Sequence, residues 1–282
     1  QLKNNKSLQM KELSTRAISG ALYISLLILC IYWQYALVVL FLVFGLICMA
    51  EFKKLIDLKG NISYIIFLVM YLGFSVWCLT PAVNTGFSEA IKILQVITIF
   101  VQLFLIKDLF SEKTIPLFSS KRYILTTFYL SSSFVFLILI ANNDNTFTPM
   151  LLLGAFILVW INDTGAYIVG KNFGKQKLFP SVSPKKTVEG FLGGLFFACV
   201  ASYFIALFTE TLDSTHWLAL AIVVSVFGTI GDLIESKFKR QAGVKDSGVI
   251  MPGHGGLLDR LDSIIFTAPF FYLFLRLFPY VS

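Results

Sequence analysis

The sequence predicts an all-α, polytopic integral membrane protein with about nine transmembrane helices, its N-terminus cytoplasmic and its C-terminus outside. Three observations carry this prediction. Of the 282 residues, 57% are hydrophobic and 14% are charged, whereas soluble domains average about 45–50% and about 25%. The mean hydropathy is +0.80. The apolar runs are unbroken, which excludes disorder and the alternating pattern of a membrane β-barrel. A soluble enzyme of this length would have to hide more apolar surface than one core holds.

Each apolar run is near the ~20 residues that a helix needs to cross a bilayer. The predicted spans are 17–33, 35–52, 63–83, 90–106, 123–141, 148–170, 188–208, 215–235 and 260–280. Only Gln34 separates the first two, so they form a tight hairpin or one of them spans incompletely. No polar stretch of small residues follows the first span, which argues against a cleavable signal peptide there.

The basic residues predict the orientation. With the N-terminus inside, all of the 23 Lys and Arg residues except Lys92 and Arg276 fall on the cytoplasmic side, as the positive-inside rule requires. This explains the net charge of +7 by topology, without a nucleic-acid partner. The four cysteines lie inside apolar runs and form no CxxC pair, so we expect neither disulfides nor a zinc site.

The organisation of the loops divides the chain into two regions. Residues 1–147 hold about five spans and little else, and Glu51 at the end of the second span is interpreted as an interfacial charge. Residues 148–282 hold about four spans and two long inner loops, 171–187 and 236–259, which are basic and rich in Gly, Ser and Pro. We therefore expect any chemistry on the cytoplasmic side of residues 148–282.

Ionisable residues at membrane depth are costly and mark candidate functional sites. Three clusters occur, all in the second region. They are Asn162 with Asp163, then Asp232 with Glu235, and finally Asp259, Arg260 and Asp262. Asp163 lies about 12 Å from the inner end of its span, and Asp232 shares a helix face with Ser236. Three spans thus present carboxylates at a similar depth.

These clusters predict a metal and phosphate site. Asp232 and Asp259 are the predicted Mg²⁺ ligands, since this cation is usually held by one or two carboxylates and substrate phosphates. Lys239, Arg240 and Lys245 would bind the phosphates. Structural roles are alternatives for single residues: Asp163 would pair with a lysine, and Asp262 would favour a helix N-terminus.

The first inner loop predicts a further anion site. Ser183 and Pro184 fit the N-cap and first position of a helix, and Lys185 with Lys186 would draw an anion to its N-terminus. In the second loop, the glycines of PGHGG (252–256) offer backbone N–H groups for an anion. His254 within it either contacts phosphate or hydrogen-bonds the loop.

The stretch SKFKRQAGVKDSGVIMPGHGGLLDRLD (236–262) resembles the signature of the phosphatidate cytidylyltransferases, also called CDP-diacylglycerol synthases. The stretch NDTGAYIVGKNFGKQKLFPSVSPKKTVEG (162–190) resembles the other inner-face region of that family. The resemblance covers about 100 residues of the second region. It implies transfer of the cytidylyl group of CTP to phosphatidic acid, giving CDP-diacylglycerol and pyrophosphate, by a homodimer in the inner (cytoplasmic) membrane.

The resemblance also implies roles for the site residues. Asp232 and Asp259 would hold Mg²⁺, with a second, monovalent cation left open. The residues expected to bind the phosphates are Lys185, Lys186, Lys239, Arg240 and Lys245. Asp246 and Asp262 would orient lysines, bind a second cation or touch the nucleotide. The other residues expected at the site are Ser183, Ser236, His254 and Arg260. Asp163 would line the cavity for the lipid headgroup.

Three other functions remain as alternatives. A CTP-dependent lipid kinase of the polyprenol or phytol type would share CTP, metal and membrane but move the γ-phosphoryl group. A cation-coupled transporter would also use carboxylates at membrane depth. A scaffold without enzymatic activity leaves the carboxylate clusters unexplained.

Overall fold

The computed structural model describes residues 18–80, 86–111, 113–143 and 146–278. Within them are nine helices and one two-stranded antiparallel hairpin. The helices are α1 Ile18–Ile31, α2 Gln34–Leu55, α3 Ile62–Leu79, α4 Gly86–Phe110, α5 Ser119–Ala141, α6 Pro149–Phe173, α7 Val188–Thr209, α8 Ser214–Gln241 and α9 Leu258–Leu277. The strands are β1 Lys177–Phe179 and β2 Ser183–Thr187. The predicted all-α fold is confirmed, and each predicted span coincides with one helix.

Seven of the described helices, α2 to α8, are long and apolar enough to cross a membrane. Helix α1 is shorter, and α9 carries Asp259, Arg260 and Asp262 in its first turns. The number of crossings and the orientation therefore stay predictions. The predicted inner charges Lys3, Lys6, Lys11 and Arg16 lie outside the described residues.

Helix α5 forms the centre of the bundle and is the most buried of the seven. Its residues Leu125–Ser131 form a π-helical segment. The hydroxyls of the serines that follow bond back to the chain; for example, Ser133 donates to the carbonyl of Tyr129 at 2.7 Å. Because these hydroxyls are hydrogen-bonded within the helix, the polar stretch can lie in the membrane core. Helix α9 packs against α5.

Helices α6 and α7 form the tightest pair in the bundle because glycines remove side chains between them. A Cβ on Gly190 would lie 2.8 Å from the carbonyl oxygen of Ala166, and one on Gly194 would lie 2.6 Å from that of Asn162. These two glycines therefore let the backbones of α6 and α7 approach closely. The contact holds Asn162 and Asp163 beside the start of α7.

The predicted helix start at Ser183 and Pro184 is wrong. Residues 183–187 are strand β2, in which Ser183 pairs with Phe179 of β1. Helix α7 begins at Val188, and Thr187 is its N-cap, accepting a hydrogen bond from the backbone N–H of Gly190 at 3.1 Å. Residues 183–187 are extended because their backbone pairs with β1. The lysines therefore lie on the strand that enters α7.

The second inner loop is shorter than predicted. Helix α8 continues to Gln241 before the loop starts, and α9 begins at Leu258, so 236–241 is helical. Within the loop, Met251 and Gly255 pair across a tight turn. Gly253 and Gly255 have φ of +76° and +86° there, a conformation that favours glycine.

A continuous hydrophobic core extends from Leu27 in α1 to Leu275 in α9. It contains residues from both predicted regions, whose boundary at 147/148 stays an interpretation. The four cysteines are free, with Cys48 buried and the other three half-buried.

Candidate active site

A cavity of about 680 Å³ lies between α6, α7, α8, the start of α9 and the hairpin. Most of the predicted site residues line it, although they come from four separate segments of the chain. These are Asp163, Lys185, Lys186, Asp232, Lys239, Asp246, Asp259, Arg260 and Asp262. The remaining walls are mainly apolar or uncharged and include Tyr167, Leu178 and Phe191. The cavity therefore joins basic, acidic and apolar surfaces in one space.

Five predicted residues lie off the cavity wall. Arg240 and Lys245 are exposed, and Arg240 donates to the carbonyl of Val244 at 3.1 Å. Ser183 is at the start of β2. The Nδ1 atom of His254 is 2.8 Å from the hydroxyl of Ser19, which lies in α1 and not in the loop. Ser236 donates to Asp232 at 3.3 Å, so it acts on the site through that carboxylate.

An ion pair between the hairpin and α8 crosses the cavity. The Nζ atom of Lys186 lies 2.6 Å from Oδ2 of Asp232. Burial alone would lower the pKa of Lys186, but the neighbouring carboxylates, Asp232 first among them, outweigh it and raise that pKa above its usual value. Lys186 is therefore a permanent cation at neutral pH.

The carboxylate of Asp259 is saturated with donors. Its Oδ1 accepts from Nζ of Lys239 at 2.6 Å. Its Oδ2 accepts from the backbone N–H and the hydroxyl of Ser247, both at 2.9 Å, and from the N–H of Gly256 at 2.8 Å. Asp259 thus ties the loop to α8 and α9. The same Lys239 also forms an ion pair with Glu235.

Three other carboxylates converge with fewer donors: Asp232 pairs with Lys186 and Glu235 with Lys239. Asp232, Glu235 and Asp262 each offer one oxygen, and these atoms lie within 4.8 Å of one another. Glu235 is fully buried, and its Oε1 has no hydrogen-bond partner among the described residues. Carboxylate oxygens gathered at this spacing are the ligands that hard divalent cations take, so these residues fit a Mg²⁺ ion. The predicted pair of Asp232 and Asp259 is untested.

Asp163 lies on the cavity wall contributed by α6. The amide of Asn162 donates to it at 3.4 Å, and Oδ1 of Asn162, which is buried, has no partner in the part of the chain that the structure describes. Tyr167, one turn further along α6, is exposed and lines the same cavity. This wall combines a carboxylate with apolar surface.

Sequence reasoning missed the positions of two residues. Glu235 is one turn from Asp232, which is the signal that could have included it among the ligands. The interpretation of Glu51 as an interfacial charge is wrong, because only 2% of it is exposed. Its carboxylate accepts hydrogen bonds from the backbone N–H groups of Leu257 and Leu258 at the start of α9. No local pattern around Glu51 points to a partner about 200 residues away.

Comparison with known proteins gives consistent matches. The sequence model of the cytidylyltransferase family matches residues 14–278, a range that includes every residue lining the cavity. A phosphatidate cytidylyltransferase from Bacillus subtilis is 38% identical over 226 residues, which are 80% of this chain and 81% of the relative. One from Staphylococcus aureus (strain COL) is 51% identical over 120 residues, 42% of this chain and 46% of the relative. One from Staphylococcus haemolyticus is 52% identical over the same shares of the two chains.

Proposed function

The chain belongs to the cytidylyltransferase family, and we infer that it transfers the cytidylyl group of CTP to phosphatidic acid. The products are CDP-diacylglycerol and pyrophosphate, and the enzyme is a nucleotidyltransferase of phospholipid biosynthesis. One observation of the structure carries the inference furthest. The cavity brings basic residues for phosphates, carboxylates for a cation and apolar walls together between helices that can cross a membrane.

The reaction requires no covalent intermediate with the protein. A phosphate oxygen of phosphatidic acid attacks the α-phosphorus of CTP. The bond from that phosphorus to the oxygen bridging it to the β-phosphorus breaks, and pyrophosphate leaves. Such transfers depend on positioning and on neutralising charge. These are tasks that fixed lysines and carboxylates can perform.

The basic residues of the cavity bind the phosphates in this proposal. Lys186 keeps its proton because Asp232 is 2.6 Å away. Lys185, beside it on β2, is exposed and lines the same cavity, so it can reach a phosphate without breaking an ion pair. Arg260 donates to the carbonyl of His254 at 3.0 Å. This bond orients its guanidinium at the N-terminus of α9.

Asp232, Glu235 and Asp262 would hold Mg²⁺. The ion would supply neutralisation of the charge that builds on the departing pyrophosphate. The partners of Asp259 support a different task for it: holding Lys239 and the 242–257 loop in place. A second, monovalent cation remains an open part of the proposal.

Phosphatidic acid would enter from the membrane on the side of Tyr167 and Phe191, with Asp163 beside its headgroup. The distribution of Lys and Arg supports a cytoplasmic active-site face in the inner membrane. The homodimer rests on the resemblance alone, and cross-linking in native membranes tests it.

Two positions of radioactive label in CTP test the function. With purified protein, phosphatidic acid and Mg²⁺, label at the α-phosphate should enter the lipid fraction and label at the γ-phosphate should appear in pyrophosphate. A lipid kinase, supplied with a polyprenol, would put the γ-phosphate label into the lipid and leave the α-phosphate label in CDP. Absence of label in any lipid, with cation flux into vesicles, would favour a transporter.

A further inference from the structure

We propose that Glu51, on α2, is a positioning residue for the transfer reaction, because it holds the start of the helix that carries Asp259 and Asp262. The proposal rests on the proposed function for its kinetic consequence. Its structural part concerns a contact between the first and last thirds of the chain.

Helix α9 begins without a side-chain cap of its own: its N-cap residue is Leu257. The backbone N–H groups at a helix start need acceptors. Glu51 supplies them from another helix, since its Oε1 accepts from the N–H of Leu257 at 3.1 Å and its Oε2 from that of Leu258 at 2.8 Å. A buried carboxylate here is also favoured by the positive end of the α9 dipole.

The same carboxylate touches the loop that precedes α9. The hydroxyl of Ser247 is 3.4 Å from Oε2 of Glu51 and 2.9 Å from Oδ2 of Asp259. One hydroxyl therefore lies between the α2 carboxylate and the α9 carboxylate. Asp262 follows Asp259 by about one turn, so a shift at the start of α9 moves both.

Glu51 also accounts for a glycine in the loop. A Cβ on Gly248 would lie 2.2 Å from Oε1 of Glu51. At Gly256 a Cβ would lie 2.1 Å from the hydroxyl of Ser247 and 2.7 Å from Oε2 of Glu51, so Glu51 is only one of the groups that exclude a side chain there. Gly248 does not have a positive φ. A side chain at position 248 is therefore excluded by the volume of Glu51 and not by the backbone conformation.

No Lys, Arg or His within the described part of the chain forms an ion pair with Glu51. The donors that hold it are the backbone N–H groups of Leu257 and Leu258, because the single proton of the Ser247 hydroxyl is closer to Asp259. In a glutamine at this position, the NH2 group would replace one carboxylate oxygen. It would then face a backbone N–H, so two donors would meet without an acceptor. Glu51→Gln is thus a nearly isosteric change that breaks the contact.

The experiment measures two quantities for Glu51→Gln, Glu51→Ala, Gly248→Ala and the double variant Glu51→Ala/Gly248→Ala. One is amide hydrogen exchange at residues 257–258 in metal-free protein. The other is kcat with saturating CTP and phosphatidic acid, at a temperature where each variant is folded. Asp213→Asn is the control, because Asp213 caps the opposite end of α8 by accepting from the N–H of His216.

Glu51→Gln, Glu51→Ala and Gly248→Ala should each raise exchange at 257–258 and lower kcat by roughly tenfold, since small misplacements of catalytic groups are costly. In the Glu51→Ala background, Gly248→Ala should have no further effect, because the colliding side chain is gone. The control should change neither quantity.

Unchanged exchange in Glu51→Gln and Gly248→Ala would overturn the proposal. Raised exchange with wild-type kcat would also overturn it, leaving Glu51 a purely structural residue. If the wild-type protein transfers no cytidylyl group, the proposed function fails, and the exchange measurement still decides whether Glu51 holds the start of α9.

Discussion

The two carboxylates of α9, Asp259 and Asp262, should respond to substitution by asparagine in opposite ways. Asp259 has four donors within 2.9 Å, three of them on Oδ2. An asparagine at this position has one carbonyl oxygen, which can still accept from the three donors that bond Oδ2. It would lose the bond to Lys239. A hydrogen bond between charged groups contributes about 1.5–3 kcal/mol, so Asp259→Asn should lower the free energy of unfolding by about 2 kcal/mol.

Asp262 lies in a group of three carboxylates whose oxygens are within 4.8 Å of one another. Asp262→Asn removes one of the like charges, so metal-free protein should unfold at the wild-type temperature or above it. The same change removes a proposed Mg²⁺ ligand. Turnover should fall at least ~100-fold, on the order of 3 kcal/mol of transition-state stabilisation, and the remaining activity should need more Mg²⁺.

The assay is a Mg²⁺ titration of cytidylyl transfer in detergent, combined with thermal unfolding in the presence of a chelator. His216→Ala, at the far end of α8 from Asp232, serves as the control and should change little. The reasoning is refuted if Asp259→Asn shifts the Mg²⁺ midpoint as far as Asp262→Asn while leaving unfolding unchanged. That result would support the Asp232 and Asp259 pair predicted from the sequence.

Three further predictions follow from the hairpin and the topology. Lys186→Gln should reduce transfer in neutral detergent by at least about tenfold and Lys185→Gln by less, because the ion pair with Asp232 fixes Lys186. Unchanged kinetics for both variants would mean that the two lysines only contact the membrane surface. Thr187→Ala should lower the free energy of unfolding by about 1 kcal/mol through loss of the α7 cap, measured by thermal unfolding, whereas Ser183→Ala should not. A cysteine at position 246 in a Cys-free protein should resist an impermeant thiol reagent in intact cells, and labelling without permeabilisation would contradict the cytoplasmic face.

The helices could be predicted because the membrane imposes them. Backbone groups in a bilayer must be paired within their own segment, so apolar runs alone locate α1 to α9. The three carboxylate clusters were recognisable for a related reason: charges at membrane depth are costly enough to stand out. Asp163, Asp232 and Asp262 indeed line one cavity.

The rest depends on contacts between distant segments. The local signal at Ser183 and Pro184 is a valid helix start, but pairing with β1 overrides it and moves the cap to Thr187. The donors that saturate Asp259 come from α8 and the 242–257 loop. Glu51 meets α9 across about 200 residues. Such partners follow from helix packing, which a single sequence does not encode locally.

The most direct test of the central claim is the stoichiometry of products from purified protein given CTP, phosphatidic acid and Mg²⁺. The account predicts one pyrophosphate released for each CDP-diacylglycerol formed, with both products lost together in Asp232→Asn. Release of CDP with a newly phosphorylated lipid, or formation of CDP-diacylglycerol at the wild-type rate in Asp232→Asn, would contradict it.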